Sequence, residues 1–388
     1  MKKLFMILAL AATLSACANI NEKENIEKPK LEAVKDGSSE AEVKESEKPG
    51  LSEEDKEPAQ KIENTDLEKH TVKVYEYFDT ITTFMAYTKD EKEFDHYVNV
   101  LKDELKTYHE LYNSYDAFDG VNNFRTINEN AGKEPVKVDE RVIELIDYSK
   151  EMYELTGGKI NIAMGSLLGL WHDYREISLD NPDKAAIPEE SMLVEASQHE
   201  DIDSIVVDEE NKTVFIKDPE VQIDIGAIGK GYATKIIANR LQEEGLKHGI
   251  LSVGGDDVLI GNNPASENSY YKIAIQNPNL EDKENPYSSV VSLKNTSVVT
   301  SGDYQRYFMV DGKRYHHIID PDTMYPSTKW RSVSVIMDDI ARADTISTYL
   351  FILDLKEGQD FAKKIGAEVM WIDEQYKSYT TDNWPEVN

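Results

Sequence analysis

Three stretches of this 388-residue chain carry side chains whose types and spacing can do chemistry. The first, Asp224-Ile225-Gly226-Ala227-Ile228-Gly229-Lys230-Gly231-Tyr232, runs from a β-rich segment into a helix. Glycines let the main chain approach a ligand, a helix start offers unpaired N–H groups and a positive dipole end, and Lys230 adds a full charge. Such a combination holds a phosphate. It is not a Walker loop, because the glycine spacing before Gly229-Lys230 is wrong and Gly231 stands where Ser or Thr belongs. A tight strand-to-helix turn with a surface lysine is the plainer alternative. The second stretch joins Val299-Thr300-Ser301-Gly302-Asp303-Tyr304 to Lys313-Arg314-Tyr315-His316-His317 and the turn Asp320-Pro321-Asp322-Thr323-Met324-Tyr325-Pro326. It is a polar, loop-borne cluster whose histidines exchange protons near neutral pH. Its alternative is a strand end whose histidines cap main-chain groups. In the third, Ala341 to Leu350, Asp344 and Thr348 fall one helical turn apart on the same face, so a carboxylate and a hydroxyl converge as hard oxygen ligands. That pair suits Mg²⁺ better than a softer metal, though an acid satisfying a helix dipole would look the same.

These residues need elements to position them. Thr71–Thr88 reads as strands around a turn at Phe78-Asp79-Thr80, and Glu91–Tyr115 and Arg141–Leu155 carry apolar residues at three- and four-residue steps, the mark of amphipathic helices. Ser204–Asp208 and Thr213–Lys217 read as a hairpin. Strands are expected at Gly249–Val253, Asp257–Ile260, Tyr271–Ile275, Val290–Leu293, Ser332–Met337 and Glu368–Ile372, and helices at Lys230–Glu244 and Ala341–Leu353. This mixed order predicts an α+β domain with a mixed sheet core and flanking helices, not a regular βαβ winding.

Composition narrows the function further. Lys+Arg 43 against Asp+Glu 74 gives a formal charge of −31, which repels phosphate backbones, so nucleic-acid binding is excluded and any phosphate is held locally. A single cysteine rules out an internal disulfide, a Cys-rich zinc site and an iron–sulfur cluster. That cysteine, Cys17, follows Lys2, Lys3 and an apolar run from Leu4 to Leu14 that is too short to span a membrane. Leu14-Ser15-Ala16-Cys17 looks like a lipobox, so residues 1–16 read as a lipoprotein signal peptide and Cys17 as a lipidated mature N-terminus on the outer face of the cell membrane. Residues 17–70, rich in Glu, Lys, Pro and Ser, read as a disordered acidic tether.

The order of the motifs resembles one family, the ApbE-type FAD:protein FMN transferases, over residues 71–388. The matching residues run through Phe78-Asp79-Thr80, Asn128, Ala131-Gly132, Thr156-Gly157-Gly158, Leu167, Leu168 and Trp171. They continue with Asp224 to Tyr232, Thr300 to Tyr304, His317 to Pro326, and Ala343-Asp344 to Thr348. The resemblance implies that the pyrophosphate of FAD is attacked by a threonine or serine hydroxyl of an exported acceptor, that FMN becomes attached, and that AMP leaves. It implies Mg²⁺ on Asp344, Thr348 and the main chain of Ala227, with Ala341 able to contribute. It also implies flavin-nucleotide contacts at Thr80, Lys159, Ile160, Asn161, Asp224 and Lys230, and a catalytic set of Lys230, Asp344 and His317. His317 would orient the substrate or help deprotonate the acceptor hydroxyl. The chain departs from the family at Asn161 (commonly Asp), Met324 (commonly Gly) and Gly229 (commonly Ala). The acceptor signature resembles Asp-x-x-Ser/Thr-Gly-Ala/Thr, and Asp36-Gly37-Ser38-Ser39-Glu40-Ala41 breaks it at Glu40, which makes the chain a donor enzyme acting on a partner. An FAD pyrophosphatase and a non-enzymatic flavin-binding lipoprotein are the other readings.

Overall fold

The computed structural model describes residues 56–63 and 65–387. The signal segment, Cys17 and the Asp36–Ala41 stretch lie outside the described residues. Nine strands form the main sheet: β1 (Lys56–Lys61), β2 (Glu68–Val74), β3 (Thr82–Thr88), β4 (Gly249–Val253), β5 (Asp256–Ile260), β6 (Ser297–Gly302), β7 (Ser332–Met337), β8 (Glu368–Ile372) and β9 (Ser378–Thr380). They lie side by side in chain order, each antiparallel to the next. The helices enter as insertions. Between β3 and β4 come α1 (Glu91–Leu111), α2 (Phe124–Glu129), α3 (Glu140–Leu155), α4 (Gly165–Asp180), α5 (Glu190–Ala196) and α6 (Gly229–Glu243); between β7 and β8 come α7 (Ile340–Ile352) and α8 (Leu355–Ile365). The α+β expectation holds.

Period-two alternation sorts each strand onto two faces. On β3, Phe84 and Ala86 join a core with α1, α3 and α6, whereas Met85 and Tyr87 face a separate hairpin, Tyr271–Gln276 with Tyr287–Leu293. On β7, Val333 and Val335 pack under α7 and α8. All the long helices but α4 therefore lie on one side of the sheet. α4 instead packs through Leu167 and Trp171 against Phe308 and Tyr315 of a hairpin, Tyr307–Val310 with Lys313–His316.

Local signals set the helix limits. Asp90 caps α1 by accepting the Glu93 N–H at 2.8 Å, and Phe94, Val98, Leu101 and Leu105 are fully buried along its inner stripe, each worth about 1.5–3 kcal/mol. The helix stops at Leu111, short of the expected Tyr115, because Asn113 Oδ1 accepts the N–H groups of Tyr115 and Asp116 at 2.7 and 2.6 Å.

One expectation is corrected. Order begins before residue 71: β2 starts at Glu68, and β1, which falls inside the stretch read as a disordered tether, pairs along it. An edge strand needs main-chain hydrogen bonds more than apolar side chains, and the register shift between Glu57 and Gln60 accommodates Pro58. Lys56 anchors the strand to α1 through Asp95 (2.5 Å) and Glu91 (3.3 Å).

Candidate active site

The site is built where the N-terminus of α6 meets α7. The residue before α6, Ile228, has no side chain able to cap it, and Asp344 of α7 supplies the cap instead: the Gly231 N–H donates to Asp344 Oδ2 at 2.7 Å. A carboxylate there also meets the positive end of the helix dipole. This contact requires glycine, since a Cβ at position 231 would lie 2.4 Å from Asp344 Cβ. Gly231 thus serves a helix-to-helix approach, and the absence of a Walker hydroxyl at that position has a steric reason.

Lys230 points its ammonium between two carboxylates. It pairs with Asp256 Oδ2 and stands 3.7 Å from Asp344 Oδ1. Asp256 opens β5 directly after Gly254 and Gly255, both at positive φ, and Thr80 Oγ1 packs on Gly254, where it would lie 2.8 Å from a Cβ. Asp256 and Asp344 are both buried. Burial pushes the Asp344 carboxyl up and the Lys230 ammonium down, while their mutual attraction and the Gly231 amide favour the charged forms.

Thr348 lies one turn along α7 from Asp344. Its Oγ1 is 3.3 Å from Ser301 Oγ of β6, which in turn is 2.7 Å from Ser347 Oγ. The Asp344 carboxylate and the Thr348 and Ser301 hydroxyls therefore come together here, with Ser347 fully buried beneath them and donating to the Asp344 carbonyl at 2.9 Å. Ala227 precedes Ile228, so its carbonyl lies outside the helical ladder. Ala341 is fully buried, and its carbonyl accepts the Thr345 hydroxyl at 3.0 Å inside the first turn of α7. Among the described residues no three acidic, histidine or cysteine side chains cluster as a metal site. One carboxylate, a neighbouring hydroxyl and a carbonyl outside the helical ladder nevertheless fit Mg²⁺, which takes few protein oxygens and keeps water or phosphate for the rest.

The remaining expected residues divide. The half-buried Asp224 accepts the Gly226 N–H at 2.7 Å, and burial raises its carboxyl. His317 is exposed on the cleft wall with Nδ1 3.3 Å from the Arg306 carbonyl. Although the ring is exposed to solvent on one side, desolvation by the surrounding protein atoms, then Arg306, His316 and Arg175, lower its imidazole from the ordinary value. A neutral ring that donates from Nδ1 keeps Nε2 as an acceptor. Lys159 does not reach the Lys230 cluster; it pairs with Asp322 and lies 4.0 Å from Asp320 Oδ1. Ile160 belongs to the core, and its N–H goes to Thr156 Oγ1. The Asn161 side chain is spent on main chain, accepting from Ala163 N and donating to the Glu200 carbonyl. Met324 takes φ +61°, so the turn keeps its left-handed shape without glycine, held by the Trp171 indole N–H donating to the Met324 carbonyl at 2.9 Å.

Asp256 and Arg306 are not singled out by the sequence, and Ser301 stands there only as a member of the Thr300–Tyr304 stretch, with no role of its own. The Gly254-Gly255-Asp256 run, two turn-forming residues before an acid, was the available signal for the first.

With this geometry in hand, the ApbE family model matches residues 73–371. The chain belongs to the ApbE family. Among its relatives is an FAD:protein FMN transferase of Klebsiella pneumoniae, 30% identical over 259 residues that cover 66% of this chain and 71% of that protein. One from Escherichia coli K12 is 28% identical over 266 residues, 66% and 71% of the two chains. The crystal structure of the ApbE protein of Thermotoga maritima superposes with a TM-score of 0.69 at 26% identity, over 81% of this chain and 97% of that one. The flavin transferase ApbE of Vibrio cholerae, at 21% identity and a TM-score of 0.67, shares the fold over 81% of this chain and 98% of its own.

Proposed function

We propose that this chain is an FAD:protein FMN transferase, acting with Mg²⁺ on an exported acceptor protein. The observation that carries the reading is the meeting of Lys230, at a helix N-terminus, with Asp344 and the Thr348 hydroxyl on the facing helix, in a chain whose relatives bear that name.

In the reaction, the acceptor hydroxyl oxygen forms a bond to the FMN-side phosphorus of the pyrophosphate, the bond from that phosphorus to the bridging oxygen breaks, and AMP leaves with that oxygen. The N-terminus of α6 and Lys230 hold the pyrophosphate and stabilise the charge that grows on its oxygens. His317, kept neutral by its surroundings, takes the hydroxyl proton at Nε2. Asp344, Thr348 and the Ala227 carbonyl are the residues that would hold the metal. Magnesium, when bound there, supplies a Lewis acid for the phosphate oxygens.

The test combines purified chain, FAD, Mg²⁺ and an exported protein bearing an Asp-x-x-Ser/Thr-Gly-Ala/Thr-like segment. Covalent flavin fluorescence on the acceptor with AMP released in equal amount supports transfer. Free FMN and AMP with no labelled acceptor would identify a pyrophosphatase instead, and neither product a flavin-binding lipoprotein. The reading places the domain on the outer face of the cell membrane through lipidated Cys17. Among the described residues no helix is long and apolar enough to cross a membrane. On this reading Cys17→Ser abolishes incorporation of labelled fatty acid into the protein.

A further inference from the structure

The proposed metal site already holds a cation of the protein's own. Of the two Asp344 oxygens, Oδ2 is committed to the Gly231 N–H at 2.7 Å. The remaining one, Oδ1, is the oxygen that faces the Lys230 ammonium at 3.7 Å. That ammonium also pairs with Asp256, a buried carboxylate whose other oxygen accepts the Thr300 N–H at 3.4 Å. Two buried carboxylates on adjoining elements, with one lysine between them, need a cation close by, because without any cation they would be uncompensated buried charges.

Resting on the reading above, we infer that Lys230 is the resident counter-cation of the Asp256–Asp344 pair and must leave Asp344 Oδ1 for a divalent cation to bind. Magnesium sits about 2.0–2.1 Å from a carboxylate oxygen, and the oxygen open to it is the one Lys230 faces. Departure is open to Lys230: its side chain is 29% exposed on a flexible stem, whereas the carboxylates are 4% and 8% exposed and fixed. The displaced ammonium then lies at the mouth of the α6 N-terminus, where a dinucleotide pyrophosphate offers it a new partner. Metal and dinucleotide binding are therefore coupled through one side chain, each tightening the other by the same factor. Asp256 is the positioning residue of this exchange, since it brings the lysine back when the metal leaves.

The experiment is pulsed reductive methylation of the wild-type chain with formaldehyde, read by mass spectrometry at Lys230 and normalised to the exposed Lys364. It is run without metal, with saturating Mg²⁺, and with Mg²⁺ plus FAD, with calorimetry confirming Mg²⁺ binding. The expected result is slow labelling without metal, roughly tenfold faster labelling with Mg²⁺, and renewed protection when FAD is added. Equal labelling with and without Mg²⁺, while calorimetry reports saturation, would overturn the exchange and leave the transferase reading standing. No Mg²⁺ binding at all would sink both. In Lys230→Met, FAD no longer tightens Mg²⁺ binding; a coupling of wild-type size in that variant also defeats the inference.

Discussion

Asp344 is asked to do two things that a single substitution separates. As a hydrogen-bond acceptor it caps α6 through Gly231, and an amide oxygen does that nearly as well. As a charge it balances Lys230 and holds the metal, which an amide does not. Asp344→Asn is therefore expected to cut acceptor flavinylation about 100-fold or more, while the unfolding free energy moves by only about 1 kcal/mol. Flavin fluorescence on the acceptor and urea titration measure the two separately, and equal loss in both would make Asp344 merely structural. His317 gives a pH test. Its imidazole is held below the ordinary 6.5 by the crowded cleft and then by Arg306, so the acid limb of the turnover profile should fall below that pH. Removing a neighbouring cation makes protonation easier. Arg306→Gln should move the limb upward, toward 6.5, and an unmoved or lowered limb would remove His317 from the role of base. Asp344, Thr348 and Lys230 were legible in the sequence because four-residue spacing and a glycine-flanked helix start are local patterns. Asp256 was not, since it reaches the site from a strand whose neighbours are set only by the folded sheet.

Helix packing decides whether those side chains meet. α6 and α7 approach closely only because position 231 lacks a Cβ. Gly231→Ala should push the two helices apart, destabilise the domain by about 1–3 kcal/mol and lower turnover as Asp344 shifts. Gly169, inside α4, provides the contrast: a Cβ there meets nothing within 4 Å, so Gly169→Ala should stabilise by about 0.5–1 kcal/mol. Denaturation midpoints moving the same way in both variants would show that the α6–α7 contact is not the tight one. The same principle explains what the sequence reading of elements left out. α1, α3, α6 and α7 were legible from apolar spacing with clear ends. α8 was not, because Gly358 reads as a breaker; it is there because Trp371 lies beneath it, 3.2 Å from where a Cβ would be. α4 hides its period because Ile177 and Leu179 are exposed beside the buried Leu167 and Trp171.

At the scale of the molecule, the strands follow one another across the sheet in chain order, so each insertion returns beside the strand it left. That is why α6, inserted before β4, and α7, inserted after β7, reach the ends of β5 and β6 from the same side of the sheet. The α+β class followed from the mixed order of elements, but the all-antiparallel order did not, because pairing across inserted segments leaves no local trace. Charge acts at this scale as well. A formal charge of −31 repels an anionic dinucleotide at long range, whereas Lys230, Arg306 and the α6 N-terminus attract it only inside the cleft. Salt screens over about 10 Å at 0.1 M, so it removes the distant repulsion that governs approach while weakening the short-range contacts that govern residence. With Mg²⁺ held constant, the association rate constant for FAD is therefore expected to rise a few-fold between about 10 and about 150 mM NaCl, with the dissociation rate rising too. Stopped-flow flavin fluorescence reads both. An association rate that falls with salt would mean that the cleft's cations govern approach from outside, and that the acidic surface is turned away from the path FAD takes.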